Sequence, residues 1–307
     1  MHIALADTVP FSWDLLADLQ LLFHYHFMQN AYLAGTLVAI AAGIIGYFMV
    51  LRDQSFAGHS LANVGFAGAT GAVLFGITPI IGLFLAGLLA AFGIQTLNIA
   101  ARQNRQSDIA VGAVFTASLA LGYLFIHLST AEYAGNVYTV LFGNVLGISD
   151  SDVGVITWSM LLLIGVFAVI ARPLFFASID PEVAAAHGVP VRALSLGYLV
   201  LLALVVAVAV QIVGVLLIFA LLVTPAAIAE YVTIRPTVAV LVAIALALLF
   251  TWVGLAVGYV TPYPVGFFIT TFAFGTYVLV RGGRLVQEFL ARRYLPLRRR
   301  SRRGGTL

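Results

Sequence analysis

Two polar side chains, His59 and Asn63, lie four residues apart in a long apolar run. In a helix, that spacing places both side chains on one face. A neutral imidazole is a good ligand for zinc and several other transition metals, whereas an Asn carbonyl oxygen is a weaker one. Polar side chains in membrane helices usually face a cavity or the bundle interior, but they also join helices by hydrogen bonds. We predict that the pair lines a path for cargo, with His59 near mid-membrane, and keep helix–helix attachment as the alternative.

Several kinds of chemistry are excluded by residues that the chain lacks. Cysteine is absent, and all 15 basic residues are arginine because there is no lysine. A phosphate-binding Walker A loop needs its lysine, so ATP hydrolysis is predicted on a separate partner protein. The chain also lacks a His-Glu-x-x-His metalloprotease motif. We therefore predict a protein that is not an enzyme and binds no cofactor of its own.

The composition is that of a polytopic all-α membrane protein. Hydrophobic residues make up 62% of the 307 residues, charged residues only 9%, and the mean hydropathy is +1.09. A soluble globular domain carries about 25% charged residues. The sequence pI of 9.3 could suggest nucleic acid. Most of the arginines lie in the C-terminal tail, however, where a membrane surface is the better explanation, so we predict contact with lipid and none with nucleic acid.

The hydropathy pattern predicts nine transmembrane helices. Two breaks divide longer apolar runs, one at Thr78-Pro79 and one between Gln211 and Gly214. The apolar stretch from Tyr138 to Gly147 is too short to cross a bilayer and predicts a re-entrant half-helix. The predicted spans are residues 31–51, 56–77, 80–101, 108–128, 153–172, two within 193–232, 237–258 and 264–281.

The arginines predict the orientation of these spans. Arg52, Arg172, Arg192 and Arg235 all fall on one side of the nine-span arrangement, and the positive-inside rule makes that side cytoplasmic. The N-terminus is then outside and the C-terminus inside. The predicted parts are an extracytoplasmic and interfacial segment (1–30, with an amphipathic helix over 11–27), a transmembrane domain (31–281) and an Arg-rich cytoplasmic tail (282–307).

A short polar segment interrupts the apolar sequence on the cytoplasmic side, in the loop 173–191. Asp180 can cap a helix, and Pro181 fits its first position. Glu182 complements the positive end of the helix dipole, and Gly188 fits the left-handed position after the last turn. These signals predict a helix of about two turns, too short to span a membrane. Its small-sided body could seat in a groove on a partner.

This segment, Asp180-Pro181-Glu182-x-Ala184-x-x-x-Gly188, resembles the cytoplasmic loop of the zinc/manganese-type ABC importer permease family. In that family the loop helix docks into the ATPase subunit. The resemblance therefore implies an ATPase-coupling segment made of Asp180, Pro181, Glu182, Ala184, His187 and Gly188.

Three further stretches resemble segments of the same family and extend the likeness over residues 31–281. They are Ser107-Asp108-x-x-Val111-Gly112-x-x-Phe115, Leu141-Phe142-Gly143-Asn144, and Val213-Gly214-x-Leu216-Leu217 with its continuation to Ala227. A fourth begins at Arg52 and resembles the family pattern Arg-x-x-x-x-x-Gly-Asp-x-x-x-His. There this chain has His59 in place of the Asp and Asn63 in place of the His.

The resemblance implies the permease subunit of a bacterial importer in the cytoplasmic (inner) membrane, similar in plan to vitamin B12-type permeases. Two copies would form the path, a separate ATPase would supply ATP hydrolysis, and an extracytoplasmic substrate-binding protein would deliver a divalent metal, zinc or manganese. The alternatives are a siderophore or vitamin cargo and a secondary transporter. A secondary transporter usually needs buried carboxylates, whereas the 12 acidic residues here lie in loops or near span ends.

Overall fold

The computed structural model describes residues 24–100, 107–128 and 142–294, and all regular structure within them is helical. Nine α-helices and one 3₁₀ turn, Val145–Gly147, follow one another in the described residues. The α-helices are α1 (His26–Leu51), α2 (Ser55–Leu74), α3 (Pro79–Ala100), α4 (Ser107–Leu128), α5 (Asp150–Ile179), α6 (Pro181–Ala186), α7 (Val191–Val232), α8 (Pro236–Val260) and α9 (Val265–Tyr294).

Seven helices in the described part are long and apolar enough to cross a membrane: α1, α3, α4, α5, the first part of α7, α8 and α9. This confirms a polytopic all-α protein. Helix α2 and the shorter apolar stretch Leu217–Val232 occupy the two remaining predicted spans. The count of nine crossings and their orientation stay predictions.

The predicted break at Thr78-Pro79 is present. Helix α2 ends at Leu74, and Gly76 has a φ of +70° in the connection that follows. Pro79 then begins α3, where its missing N–H leaves no helical hydrogen bond unmade.

Helix α7 reverses at Gly214, which has φ 81° and ψ 162° inside an otherwise helical run. Two residues on opposite sides of this glycine meet the same stretch of α1. The Tyr198 hydroxyl donates to the Ile45 carbonyl at 2.9 Å, and the Leu222 backbone packs directly on Gly46. The two halves of α7 therefore run in opposite directions, as the predicted turn between Gln211 and Gly214 requires.

Helix α1 lies in the middle of the bundle and packs on α5, α7 and α8. Gly43 allows its backbone to approach that of Ile244 in α8 closely. Near the opposite end, the Trp252 indole N–H donates to the Thr36 hydroxyl at 2.9 Å. Since small residues allow helices to approach in a membrane, these contacts hold α1 and α8 as an antiparallel pair.

Three helix boundaries differ from the prediction. Helix α1 begins at His26 rather than residue 31, and α9 continues past 281 to Tyr294. Helix α5 runs through Pro173 to Ile179, so the predicted loop 173–191 is reduced to α6 and its junctions. Pro173 removes one helical hydrogen bond, but Leu174 and Ala177 are buried and hold the chain in the helix. The start of the predicted tail is likewise helical, and Arg281, just before it, donates to the hydroxyls of Tyr231 and Tyr277.

Two predicted elements lie wholly or largely outside the described residues. The amphipathic helix over 11–27 overlaps the described residues only at 24–27, of which 26 and 27 already belong to α1. Of the predicted half-helix 138–147, only 142–147 are described. There the chain bends at Gly143, with a φ of +76°, before the turn Val145–Gly147.

Candidate functional site

His59 and Asn63 lie on one face of α2, as their spacing predicts, and both are half-buried. The Asn63 amide donates to the His59 carbonyl at 2.9 Å and lies 3.4 Å from the ring Nε2. With a rise of about 1.5 Å per residue, His59 is only about 6 Å along the axis from Ser55 and Asn63 about 12 Å. His59 thus lies closer than Asn63 to the Arg52 end of α2, and its depth in the membrane stays a prediction.

Two aromatic rings from other helices flank the imidazole. The ring centroid of Phe115 in α4 lies 5.5 Å from that of His59, and Phe219 in α7 lies 4.7 Å away in an edge-on orientation. The Nδ1 atom of His59 is buried without a hydrogen-bond partner. Leaving a buried polar atom unpaired costs about 1–3 kcal/mol. A binding site is one setting in which a protein tolerates that cost.

These contacts bear on the two interpretations of the pair. Within the described residues, neither side chain makes a hydrogen bond to another helix, since Asn63 bonds only within α2. The contacts of His59 with α4 and α7 are aromatic. No group of three or more His, Cys, Asp or Glu side chains in the described part could hold a metal ion. The chemistry available at this face is therefore one imidazole and one amide, which suits brief contact with a passing cation better than tight binding.

Residues 142–144, the described part of the segment that begins at Leu141 in the sequence, join the same region through the reversal of α7. The Asn144 main-chain N–H donates to the Ile212 carbonyl at 3.1 Å. Gly143 packs so closely on Ile212 and Val213 that a Cβ would collide with them. All four stretches singled out by resemblance within the bundle therefore meet: α2 touches α4 and α7 at His59, and the Gly143 bend closes the break in α7.

Helix α6 has the predicted capped form. The Asp180 carboxylate accepts from the Val183 N–H at 3.0 Å, and Pro181 holds the first position. Gly188 follows the last turn with a φ of +80°, and its N–H donates to the Ala185 carbonyl at 3.0 Å. The bend after α6 thus depends on a left-handed residue.

One side of α6 packs on the protein and the other is exposed. Ala184 is fully buried, and the His187 ring lies edge-on to Phe176 in α5 with centroids 5.9 Å apart. Glu182, Ala185 and Ala186 are exposed. Ala184 is one of the six residues that the resemblance assigns to ATPase coupling. Its burial anchors α6 to its own chain, so its side chain does not face outward.

Sequence reasoning missed a polar cluster around Arg52. Its guanidinium donates to the hydroxyls of Ser178 at 3.0 Å and Ser195 at 2.7 Å, and lies 5.5 Å from the centre of the Tyr198 ring. Arg52 begins one of the family-like stretches, but nothing in the sequence indicates that its side chain donates hydrogen bonds to two serines more than a hundred residues away.

A second missed cluster ties the other end of α1 to α5. The His26 imidazole lies 2.7 Å from the Asp150 carboxylate, which also accepts from the Asn30 amide at 2.6 Å. The Asn30 amide also donates to the Ile148 carbonyl at 3.3 Å. The segment that follows the 3₁₀ turn is thereby fixed to α1.

Comparison with known proteins gives consistent results. The model of the ABC 3 transport family matches residues 24–281. The manganese transport system membrane protein MntC of Listeria innocua is 34% identical over 239 residues, covering 78% of this chain and 84% of the relative. The manganese import system permease protein ScaB of Streptococcus parasanguinis is 34% identical over 242 residues, covering 79% and 85%.

Solved structures show the same fold. PsaBC from Streptococcus pneumoniae, in complex with a Fab, aligns with a TM-score of 0.76 at 28% identity and covers 86% of this chain and 94% of that chain. A putative metal-chelate type ABC transporter in an inward-facing conformation aligns with a TM-score of 0.62 at 19% identity, which is a likeness of fold alone. With a family match over most of its length and relatives above 30% identity, the chain belongs to the ABC 3 transport family.

Proposed function

We propose that this chain is the permease subunit of an ATP-driven importer and forms the translocation path for a divalent metal ion, manganese or zinc. The observation that carries the proposal is that three family-like stretches, from α2, α4 and α7, meet at His59, in a chain whose relatives are named manganese transport or import proteins. ATP hydrolysis belongs to a separate ATPase, because the chain has no lysine for a Walker A loop.

His59 and Asn63 are the proposed cargo contacts. The imidazole nitrogen and the amide oxygen replace water ligands of the ion as it passes, and two neutral side chains hold a divalent ion only weakly. Imidazole suits zinc, whereas manganese prefers carboxylate and carbonyl oxygens. The same pair is also compatible with a metal chelate, whose ligands already neutralise the ion.

Helix α6 is the proposed contact with the ATPase. Its exposed side carries Glu182 and the small residues Ala185 and Ala186, which suits insertion into a groove. Asp180 and Gly188 fix the two ends of the helix, so a force applied to α6 reaches α5 and α7 directly.

The proposed assembly has nine crossings and a re-entrant segment, with the N-terminus outside and the C-terminus inside, and its plan is similar to that of vitamin B12-type permeases. Residues 1–30 are extracytoplasmic or interfacial, 31–281 form the membrane domain, and 282–307 are cytoplasmic. Two copies form the path in the bacterial cytoplasmic membrane, and an extracytoplasmic binding protein delivers the cargo. Helix α1 fits this arrangement, since His26 begins it and Arg52 directly follows its other end, which is the predicted cytoplasmic end.

The decisive experiment is uptake by proteoliposomes that contain the permease with its ATPase, supplied with its binding protein. We expect ATP-dependent accumulation of manganese or zinc, abolished when the Walker A lysine of the ATPase is replaced. A siderophore or vitamin taken up in place of both free metals would contradict the metal assignment. Uptake that continues without ATP and follows a proton gradient would identify a secondary transporter.

A further inference from the structure

Arg52 occupies the turn between α1 and α2, directly before the helix that carries His59 and Asn63. It follows the last residue of α1, and its N–H donates to the Phe48 carbonyl at 3.1 Å. The turn itself is tight: Asp53 has a φ of 53°, and the Gln54 N–H donates to the Met49 carbonyl at 2.9 Å. The backbone at Arg52 therefore sets where α2 begins.

The side chain of Arg52 reaches both junctions of α6. Ser178, its first partner, lies near the end of α5, two residues before the Asp180 cap. Ser195, its second partner, lies in the first turns of α7, just after α6. One guanidinium thus bridges the segments that enter and leave the short exposed helix.

A buried aromatic ring forms the platform for this bridge. The guanidinium carbon lies 5.5 Å from the centre of the Tyr198 ring, which is fully buried and donates to the Ile45 carbonyl of α1. The Arg52 Nε is buried without a partner. Burial lowers the pKa of the Arg52 guanidinium, which as an arginine still keeps its charge. Removal from water strengthens the charged contacts, so the bridge is more than a solvated surface pair.

The chemistry of the bridge requires arginine. A planar guanidinium donates in two directions at once while its face lies on an aromatic ring. A lysine ammonium is a compact point charge that cannot reproduce that fixed fork. The Ser178 hydroxyl itself donates to the Leu174 carbonyl at 2.6 Å, which leaves its oxygen to accept from Arg52.

We propose that Arg52 is a positioning residue that transmits movement of α6 to the start of α2, and so to the His59 and Asn63 face. When α6 moves with its partner, Ser178 and Ser195 move with it, and the guanidinium carries the α1–α2 turn along. The inference rests on the proposed function, since it assigns how the cytoplasmic contact reaches the cargo path. In a purely structural role, Arg52 would only hold the three helix ends together.

The test measures ATP hydrolysis and metal uptake in the same reconstituted complex, normalised to assembled complex. Arg52→Lys and the double variant Ser178→Ala/Ser195→Ala should lower uptake per ATP hydrolysed by about tenfold, because charged hydrogen bonds of this kind are lost. Hydrolysis stimulated by the loaded binding protein should persist. Arg172→Lys, at an exposed arginine of α5, is the matched control and should leave the ratio unchanged.

The outcomes separate this inference from the proposed function. A wild-type complex that moves no metal would contradict the proposed function itself. If the wild type transports metal and the variants keep its ratio of uptake to ATP hydrolysis, even where both rates fall, Arg52 does not transmit the movement. Adding Arg52→Lys to the double serine variant should produce no further loss, and an additional loss of similar size would show that the guanidinium acts elsewhere.

Discussion

The main-chain N–H of Asn144 donates to the carbonyl of Ile212 at 3.1 Å, just before the residue at which α7 reverses. A reversal between two helices leaves carbonyl groups without helical partners, and a buried backbone group that stays unpaired costs free energy comparable to a lost hydrogen bond. The bend at Gly143 brings Asn144 into position to supply one of the missing donors. The break in α7 and the Gly143 bend therefore depend on each other.

This dependence predicts that Gly143→Ala destabilises the protein. A Cβ at Gly143 would collide with the backbone of Ile212 and Val213, and the φ of +76° adds about 1–2 kcal/mol for any residue with a side chain. We expect a lower melting temperature for the purified permease and reduced uptake. Gly197→Ala is the control, since a Cβ there meets nothing within 4 Å. Equal melting temperatures for both variants would contradict the packing at the bend.

The orientation can be tested by cysteine labelling, because the chain has no native cysteine. Pro262→Cys lies in the exposed connection between α8 and α9, and Ala186→Cys lies on the exposed end of α6. An impermeant maleimide should label position 262 in intact cells and position 186 only after the membrane is opened. Labelling of position 186 in intact cells would overturn the proposed topology.

Substitutions of Gly188, the left-handed residue after α6, should weaken ATPase binding to different degrees. Gly188→Val forces a β-branched residue into a φ of +80°, although open space surrounds the site, so the cost is backbone strain of about 1–2 kcal/mol. We expect the variant to insert in the membrane but to bind the ATPase poorly in co-purification. Gly188→Asn should retain binding, because Asn tolerates this conformation. Full binding by the Val variant would show that the direction of the chain after α6 is unimportant.

The cargo path is tested by His59→Ala. Losing a ligand should reduce metal uptake by about 10–100-fold, with little change in abundance or melting temperature. His127→Ala, at the exposed end of α4, removes an imidazole elsewhere and should transport normally. If uptake by the His59 variant is normal, or if the variant fails to accumulate, the residue serves packing and the alternative of helix attachment is correct.

The sequence was sufficient for features that depend on local chemistry. Asp180, Pro181 and Gly188 define α6 because capping and left-handed geometry are properties of single residues, and the reversal at Gly214 follows from the same freedom. Contacts that depend on tertiary packing could not be predicted from the sequence. Nothing local indicates that Phe115 and Phe219 flank His59 or that Arg52 binds two distant serines. Helix α5 was predicted too short because Pro173 is locally unfavourable, whereas the burial of Leu174 outweighs that cost.

The reversal of α7 also constrains how the protein is made. In the first half of α7, 83% of the most apolar stretch is buried, against 17% for α9. Helix α7 packs on α1, α2, α3 and α5, which precede it in the chain, but also on α8 and α9, which follow. During synthesis from the N-terminus, the hairpin enters the membrane before part of its enclosure exists. A ribosome that stops short of α8 would therefore leave the side of this hairpin that α8 and α9 cover exposed to lipid, where it could pair with the wrong neighbour.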